Sequence, residues 1–228
     1  RLADPESLLK YNRALVKRAE KKLPDAFGRL PSTRLEVRAI EAFRERDAPA
    51  AYYYGAPADG SRPGVYYLNT YAPETRLLYK MPALAFHEAL PGHHLQIALA
   101  TERSELPEFM KRGGQTAFTE GWALYAETLA DELGLYETPE EKLGALTYEI
   151  WRAARLVVDT GLHAMGWSRS QAIDYLGLYT GHDPGEVVNE IDRYITWPGQ
   201  ALAYKLGQLE IMRLRREVED ILGDGFDL

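Results

Sequence analysis

Apolar positions in the first part of the chain follow a helical period. The residues that share one face of the segment 5–23 are Leu8, Leu9, Leu15 and Val16. Lysines gather near the end of this segment, where the helix dipole favours positive charge. The following stretches are short and rich in β-branched and aromatic residues, and a loop of Gly, Pro and Asp separates them. The pattern therefore predicts one helix and then a β-element of about three strands at about residues 35–72.

Nearly every later stretch has a helical pattern. The first of these helices starts at Pro82, a residue that the first helical turn tolerates, and continues to the Pro91-Gly92 pair. Further helical patterns, joined by turns with Gly or Pro, cover 93–101, 115–133, 139–165, 169–178, 184–194 and 198–222. We therefore expect a mainly α protein with a small antiparallel β-element, an α+β fold. It should form a single domain over 1–228, with its helical part at about 82–228.

Composition narrows the class of protein. Apolar residues make up 46% of the chain and charged residues 27%, which is typical of a soluble globular protein. A net charge of -7 argues against binding to nucleic acid, and no apolar run is long enough to predict a transmembrane segment. The absence of cysteine excludes disulfides, thiolate metal ligands and a cysteine nucleophile. The oligomeric state stays open, and so does the compartment, with cytoplasm and periplasm both possible.

Histidines are concentrated at one place in the sequence. The chain has five, and three of them, His87, His93 and His94, lie within eight residues. Imidazole is the usual protein ligand of zinc, and a catalytic zinc ion typically has three protein ligands. In the familiar helical motif, two histidines lie four residues apart and a glutamate after the first acts as general base. Here Glu88 follows His87, but position 91 is a proline.

The longer spacing predicts a break in the helix. On a straight helix His94 would share a face with His87 but lie about 10 Å further along the axis. Two nitrogens that bind one metal ion must be much closer than that. Pro91 lacks a backbone donor and Gly92 permits unusual dihedral angles, so this pair suits a bulge or break. Surface or core histidines at a helix junction are the alternative, and the clustering favours a metal site.

A third ligand is expected from the helix at 115–133. Glu120 and Glu127 lie seven residues apart, on one face and in an apolar segment, where an unpaired carboxylate is costly. Glu120 precedes Gly121, where another backbone can approach closely. Glu127 suits a role behind the metal ligands, holding a histidine by its other ring nitrogen. The alternative is a solvated helix face.

Two motifs carry a resemblance to a known family. The stretches HEALPGHHLQ and TEGWALYAE resemble the signature of a bacterial family long labelled as a domain of unknown function. That family is grouped with the gluzincin zinc metallopeptidases, and its helices are similar to those of the Taq-type carboxypeptidases and the angiotensin-converting and thimet oligopeptidase families. The stretches RPGVYYLNTY and RYITWPGQALAYKLG are also similar to it. The resemblance implies a zincin-like helical metallopeptidase domain.

The resemblance also implies roles for individual residues. It implies three zinc ligands, namely His87, Glu120 and one histidine of the pair at 93–94. Glu88 would activate a zinc-bound water. Relatives with the compact spacing have Gly-His-x-Leu at the second ligand, which matches residues 92–95 and favours His93, with His94 as the alternative.

Further residues are candidates for supporting the reaction. Tyr204 and Tyr194 are candidate donors to the oxyanion, and Tyr204 is preferred. The residues Arg155, Asp159 and His163 recur every four positions on one helix. This stripe predicts either a surface ion-pair ladder or a buried network, in which Asp159 and His163 support the zinc-binding helices and Arg155 binds a substrate carboxylate.

Substrate-binding residues are expected on both sides of the histidine cluster. The stretch GVYYLNT is the expected edge strand, to which an extended peptide could add, and Asn69 would then contact the peptide. Arg193 and Gln200 are candidates for binding a peptide terminus.

The pattern as a whole favours zinc-dependent hydrolysis of peptide bonds, with a peptide as the partner and zinc as the cofactor. A carboxypeptidase or an oligopeptidase would fit. Two alternatives stay open. One is a metal-dependent amidohydrolase that acts on a non-peptide amide. The other is a non-catalytic metal-binding domain, which would suit a chain that forms the C-terminal part of a longer protein.

Overall fold

Helices account for most of the residues that the structure, a computed structural model, describes, namely 4–112 and 114–228. The helices are α1 (Pro5–Lys22), α2 (Met81–Glu88), α3 (His93–Glu102), α4 (Glu108–Arg112), α5 (Thr116–Glu132), α6 (Pro139–Ala164), α7 (Arg169–Thr180), α8 (Pro184–Thr196) and α9 (Gln200–Leu222). The strands are β1 (Leu35–Ala39), β2 (Ala51–Tyr54) and β3 (Gly64–Leu68). The predicted α+β class is confirmed, and the predicted helices lie close to their expected bounds. The five-residue helix α4 was not predicted.

The sheet differs from the prediction in two respects. Its strand order is β1-β3-β2, and β3 pairs in parallel with β1 and antiparallel with β2. The sheet is therefore mixed rather than wholly antiparallel. Strand β2 runs opposite to β1, and the chain turns again after β2, so β3 runs in the same direction as β1. The stretch predicted as an edge strand is the central strand β3. Both of its edges are already paired, so a peptide cannot add to it.

The helix that carries His87 runs through the main core. In α2 every residue from Met81 to His87 is buried, as expected for a helix with apolar residues on all sides. Helix α1 and the sheet pack around it, and the hydroxyl of Tyr66 on β3 donates a hydrogen bond to Asn12 Oδ1 at 3.0 Å. His87 is consequently buried within this core.

Helices α5 and α9 pack with their backbones in contact. A Cβ atom on Gly207 would lie 1.8 Å from the carbonyl oxygen of Ala117, and one on Gly121 would lie 2.4 Å from the Cα of Gly207. Only glycine fits at these two positions, which agrees with the close approach expected at Gly121. Glu120 precedes one of these glycines, and Tyr204 lies one turn before the other. The packing thus brings the two side chains toward the same region.

Candidate metal centre

The predicted helix break lies between α2 and α3. Helix α2 ends at Glu88 and α3 begins at His93, and the backbone N–H of His94 donates a hydrogen bond across the break to the carbonyl oxygen of Ala89 at 3.0 Å. A Cβ atom on Gly92 would lie 1.9 Å from the carbonyl oxygen of His87, so the turn requires glycine there. The indole of Trp122 donates a hydrogen bond to the carbonyl oxygen of Pro91 at 3.0 Å and holds the turn against α5. The break places the ring of His93 against that of His87, with the ring centroids 4.9 Å apart.

Three donor atoms converge at this break in the helix. The Nε2 atoms of His87 and His93 lie 3.5 Å and 3.3 Å from Oε2 of Glu120, and the three atoms all lie within 4.8 Å of one another. Donors that each lie about 2.0–2.1 Å from one tetrahedral metal ion are about 3.4 Å apart. Oε2 of Glu120 is buried and has no hydrogen-bond partner among the described residues, which is costly for a carboxylate. The donor set and its spacing therefore fit a metal ion.

His94 points away from this cluster. Its Nδ1 lies 2.9 Å from the hydroxyl of Tyr53, and its Nε2 lies 3.2 Å from the carbonyl oxygen of Thr33. Burial lowers the pKa of His94 to about 4, so the ring is neutral at ordinary pH. Of the two candidate histidines, the structure places only His93 beside Glu120, because the pair stands at the start of α3 and successive side chains diverge.

Glu127 lies directly behind His87. Its Oε1 is 2.7 Å from Nδ1 of His87, and both side chains are buried. Burial by itself lowers the pKa of His87, but the neighbouring carboxylates of Glu120 and Glu127 outweigh it and raise the pKa to about 9. An acceptor at Nδ1 fixes the orientation of the ring and leaves Nε2 directed at Glu120. Glu127 thus has the position that the sequence predicted for it.

Glu88 is the last residue of α2 and follows His87 directly. It is only partly buried, and its charge contributes to the raised pKa of His87. Glu88 is thus adjacent in the chain to one member of the donor cluster without being one of the three members. That is the position expected of a general base.

Tyr204 on α9 lies against His87. The two rings are nearly parallel, with centroids 6.2 Å apart and planes inclined by 19°. The hydroxyl of Tyr204 accepts a hydrogen bond from Nε2 of Gln200 at 3.2 Å, and Oε1 of Gln200 accepts one from Arg193 at 2.9 Å. Burial raises the pKa of Tyr204, so its hydroxyl keeps a proton that it can donate. Gln200 and Arg193 were predicted to bind substrate. In the structure they form a chain of hydrogen bonds, from Arg193 to Gln200 and from Gln200 to Tyr204, that positions Tyr204.

Tyr194 belongs to a separate hydrogen-bonded group. Its hydroxyl accepts hydrogen bonds from Nε of Arg155 at 2.7 Å and from the indole of Trp151 at 3.1 Å. Burial raises the pKa of Tyr194 to about 12. Because its hydroxyl is already held by these donors, Tyr194 is the weaker of the two candidate oxyanion donors.

The prediction that Asp159 and His163 support the metal ligands is wrong. The carboxylate of Asp159 accepts hydrogen bonds from the backbone N–H of Gly199 at 3.2 Å and 3.1 Å. Nε2 of His163 lies 3.0 Å from the carbonyl oxygen of Tyr194. Both residues therefore hold the turn between α8 and α9. Tyr204, whose ring lies against His87, is one helical turn into α9.

The prediction that Asn69 contacts a peptide is also wrong. Its amide nitrogen lies within hydrogen-bonding distance of the carbonyl oxygens of Glu45, Ala48 and Pro49, at 2.7, 3.0 and 3.2 Å. Its side-chain oxygen accepts a hydrogen bond from the backbone of Tyr71 at 2.9 Å. Asn69 is 2% exposed, so it fixes the loop that precedes β2.

Arg152, a buried residue near the cluster, was not identified from the sequence. Arg152 on α6 is 5% exposed, and its guanidinium carbon lies 5.6 Å from the ring centroid of Tyr204. Its position three residues before Arg155 places both arginines on one helix face, and this spacing was the available signal.

These features define a mainly helical domain with a buried His-His-Glu cluster that could hold a metal ion. The chain belongs to the family described as "Bacterial protein of unknown function (DUF885)", whose model matches residues 2–228. The bacterial family suggested by the two sequence motifs is thereby confirmed. The grouping with gluzincins and the likeness to Taq-type carboxypeptidases stay predictions.

Solved structures share the fold. A protein of Colwellia psychrerythraea described as a "putative lipoprotein" is 43% identical, with a TM-score of 0.95 over 97% of this chain and 38% of its own. A second, from Shewanella oneidensis, is described as a "putative lipoprotein of unknown function". It is 24% identical, with a TM-score of 0.78 over 98% of this chain and 41% of its own, and it shows the fold alone. The chain thus spans about two fifths of these proteins.

No curated protein matches the chain. Within the described part of the chain, no helix has both the length and the apolar character needed to cross a bilayer.

Proposed function

We propose that this chain carries a zinc-dependent peptidase centre. The observation that carries the proposal is the convergence of His87, His93 and Glu120 on one point, with Glu88 directly after His87 in the chain. Two imidazoles and one carboxylate are a known ligand set of catalytic zinc, and three protein ligands leave a coordination position open. Zinc, when bound, supplies a Lewis acid that polarises a carbonyl group and makes water more acidic.

The residues around the cluster suit the remaining steps of amide hydrolysis. Glu88 would accept a proton from the attacking water and pass it to the departing amine. Tyr204 would donate its hydroxyl proton in a hydrogen bond to the oxygen that gains negative charge. Its hydroxyl is held in place by Gln200, so little reorganisation is needed at the moment of reaction. Glu127 would keep Nε2 of His87 directed at the metal.

The function is tested with a peptide library and mass spectrometry. Protein loaded with zinc is expected to cut a subset of the peptides, to lose this activity on treatment with a chelator, and to regain it with zinc. A library left uncut by protein shown to contain zinc would favour an amidohydrolase or a non-catalytic metal-binding domain. Protein that binds no zinc at all would contradict all three.

Replacing Tyr204 by phenylalanine tests the oxyanion donor. We expect kcat to fall by about 10²–10³-fold, as when one oxyanion donor is removed, while the zinc content stays the same. Tyr179→Phe is the matched control, since this tyrosine on α7 is half exposed. A Tyr204→Phe variant with the kcat of the wild type would show that the hydroxyl takes no part in the reaction.

Replacing Glu127 by glutamine tests the support of His87. We expect zinc affinity to fall by about 10–100-fold, because the amide is a weaker acceptor for the ring N–H. Competition with a chromogenic chelator measures this affinity. Glu132→Gln on the same helix, whose side chain is 44% exposed, should bind zinc as the wild type does. Equal affinities for Glu127→Gln and Glu132→Gln would count against the assigned role.

Of the two compartments that the sequence leaves open, the periplasm is favoured by the likeness to a protein described as a "putative lipoprotein". Fractionation of the source bacterium, followed by detection with an antibody, tests this assignment. Recovery of the protein with the cytoplasmic fraction would contradict it.

A further inference from the structure

Two buried arginines lie beside the candidate metal centre. Arg152 and Arg155 on α6 are 5% and 2% exposed. Their guanidinium carbons lie 5.6 Å and 4.5 Å from the ring centroid of Tyr204, and this ring stacks on that of His87. The two guanidinium groups are therefore separated from a candidate metal ligand by one aromatic ring.

The hydrogen bonding of these arginines is incomplete. Arg155 donates from Nε to Tyr194 and from Nη2 to Glu190, but its Nη1 is buried and has no partner among the described residues. Arg152 has two such atoms, Nε and Nη1. Its guanidinium group lies 4.6 Å from the ring centroid of Tyr148 and 4.3 Å from that of Trp151. Aromatic faces attract the cation but satisfy none of these in-plane donors.

Among the described residues, the ion pairs formed by the arginines at this place involve a single carboxylate. Glu190 lies 3.0 Å from Arg155 and 2.7 Å from Arg193, so two arginines share one carboxylate. Arg152 forms no ion pair within residues 4–112 and 114–228. Buried charge is tolerated when it is paired, and a guanidinium group with unused donors matches a carboxylate in both charge and geometry.

We propose that Arg152, together with Nη1 of Arg155, binds a carboxylate group of the substrate. Two sources share this chemistry, the free C-terminal carboxylate of a peptide and the side chain of an acidic residue. As a statement about substrates, the proposal rests on the peptidase function proposed above. A terminal carboxylate held beside Tyr204 would place one of the last peptide bonds of a chain at the metal. The substrate class would then be peptides with a free C-terminus, cut near that end.

Binding is measured by calorimetry with non-hydrolysed probes. The protein carries Glu88→Gln and is loaded with zinc, so that turnover does not interfere. The probes are N-acetyl-Ala-Ala as the free acid, the same dipeptide as its C-terminal amide, and N-acetyl-aspartyl-alanine amide, whose only carboxylate is on a side chain. We expect the free acid to bind at least about 10-fold more tightly than the amide.

The arginine is tested in the same background. Arg152→Met should reduce the free-acid preference to less than about 2-fold, and Arg152→Lys should keep part of it, since a point charge cannot form a bidentate pair. Arg213→Met, an exposed site on α9 paired with Glu210 and Glu217, should leave the preference unchanged. Thermal melting shows whether each variant is folded, and the comparison of free acid with amide needs no variant at Arg152.

The outcomes separate the possibilities. A free-acid preference that depends on Arg152 supports the terminal carboxylate as ligand. If the aspartyl probe binds as tightly as the free acid, the result supports the carboxylate of an acidic side chain. Equal binding of free acid and amide would overturn the proposal. A free-acid preference that is unchanged in Arg152→Met would also overturn it, because the metal alone would then account for the preference. An arginine-dependent preference in protein that cuts no peptide would overturn the peptidase function but leave the carboxylate site standing.

Discussion

Glu88→Gln is expected to keep its zinc and to lose peptide hydrolysis by about 10²–10⁴-fold. Glutamine has nearly the same shape as glutamate but cannot accept a proton from water at neutral pH. Glu88 lies outside the His-His-Glu cluster, so the metal ligands stay in place. Elemental analysis gives the zinc content, and cleavage of one peptide chosen from the library gives the rate.

The control for this substitution is Glu20→Gln, an exposed position on α1. It should have the zinc content and the rate of the wild type. Two outcomes would count against Glu88 as the base. One is full activity in Glu88→Gln, and the other is a loss of zinc in parallel with activity, which would make Glu88 a ligand.

His93→Ala and His94→Ala are expected to differ sharply in zinc binding. His93 supplies one of the three donor atoms, whereas both ring nitrogens of His94 lie within hydrogen-bonding distance of Tyr53 and Thr33. Loss of a ligand should cost more than the roughly 10–100-fold in affinity that loss of a supporting residue costs. We therefore expect His93→Ala to lose zinc during dialysis and His94→Ala to retain about one ion per chain.

The two alanine variants are controls for each other, since both remove a buried imidazole from adjacent positions. His94→Ala should melt at a lower temperature than the wild type, because it loses two partly buried hydrogen bonds. Zinc retained in His93→Ala and lost in His94→Ala would reverse the assignment of the second histidine.

Local patterns predicted the helices and the helix break. The period of apolar residues gave the bounds of most helices to within a few positions, and the Pro91-Gly92 pair indicated where the chain turns between His87 and the next histidines. Each of these signals lies within a few residues of the feature it describes. The pairing of β1 with β3 is different, because residues 35–39 pair with residues 64–68 and the whole of β2 lies between these two strands in the sequence. Nothing in the strands themselves distinguishes parallel from antiparallel pairing.

The errors at the site have a common physical cause. The spacing of Arg155, Asp159 and His163 identifies one face of α6, but the spacing does not show what packs on that face. The structure places the turn between α8 and α9 there, and the backbone of that turn uses Asp159 and His163. Asn69 was misassigned for the same reason, since its amide nitrogen contacts backbone carbonyls 20 to 24 positions earlier in the chain.

The choice between His93 and His94 could not be made from the residues alone, because it depends on the direction in which α3 leaves the turn. Arg152 was missed because an arginine on a long helix is usually exposed. Only the packing of α6 against Tyr204 shows that it is buried.

X-ray diffraction from crystals grown with zinc, with data collected on both sides of the zinc absorption edge, tests the metal centre most directly. We expect one anomalous peak about 2.0–2.2 Å from the Nε2 atoms of His87 and His93 and from Oε2 of Glu120. The absence of a peak at this place, or a peak bound by His94 instead of His93, would contradict the assignment of the metal centre.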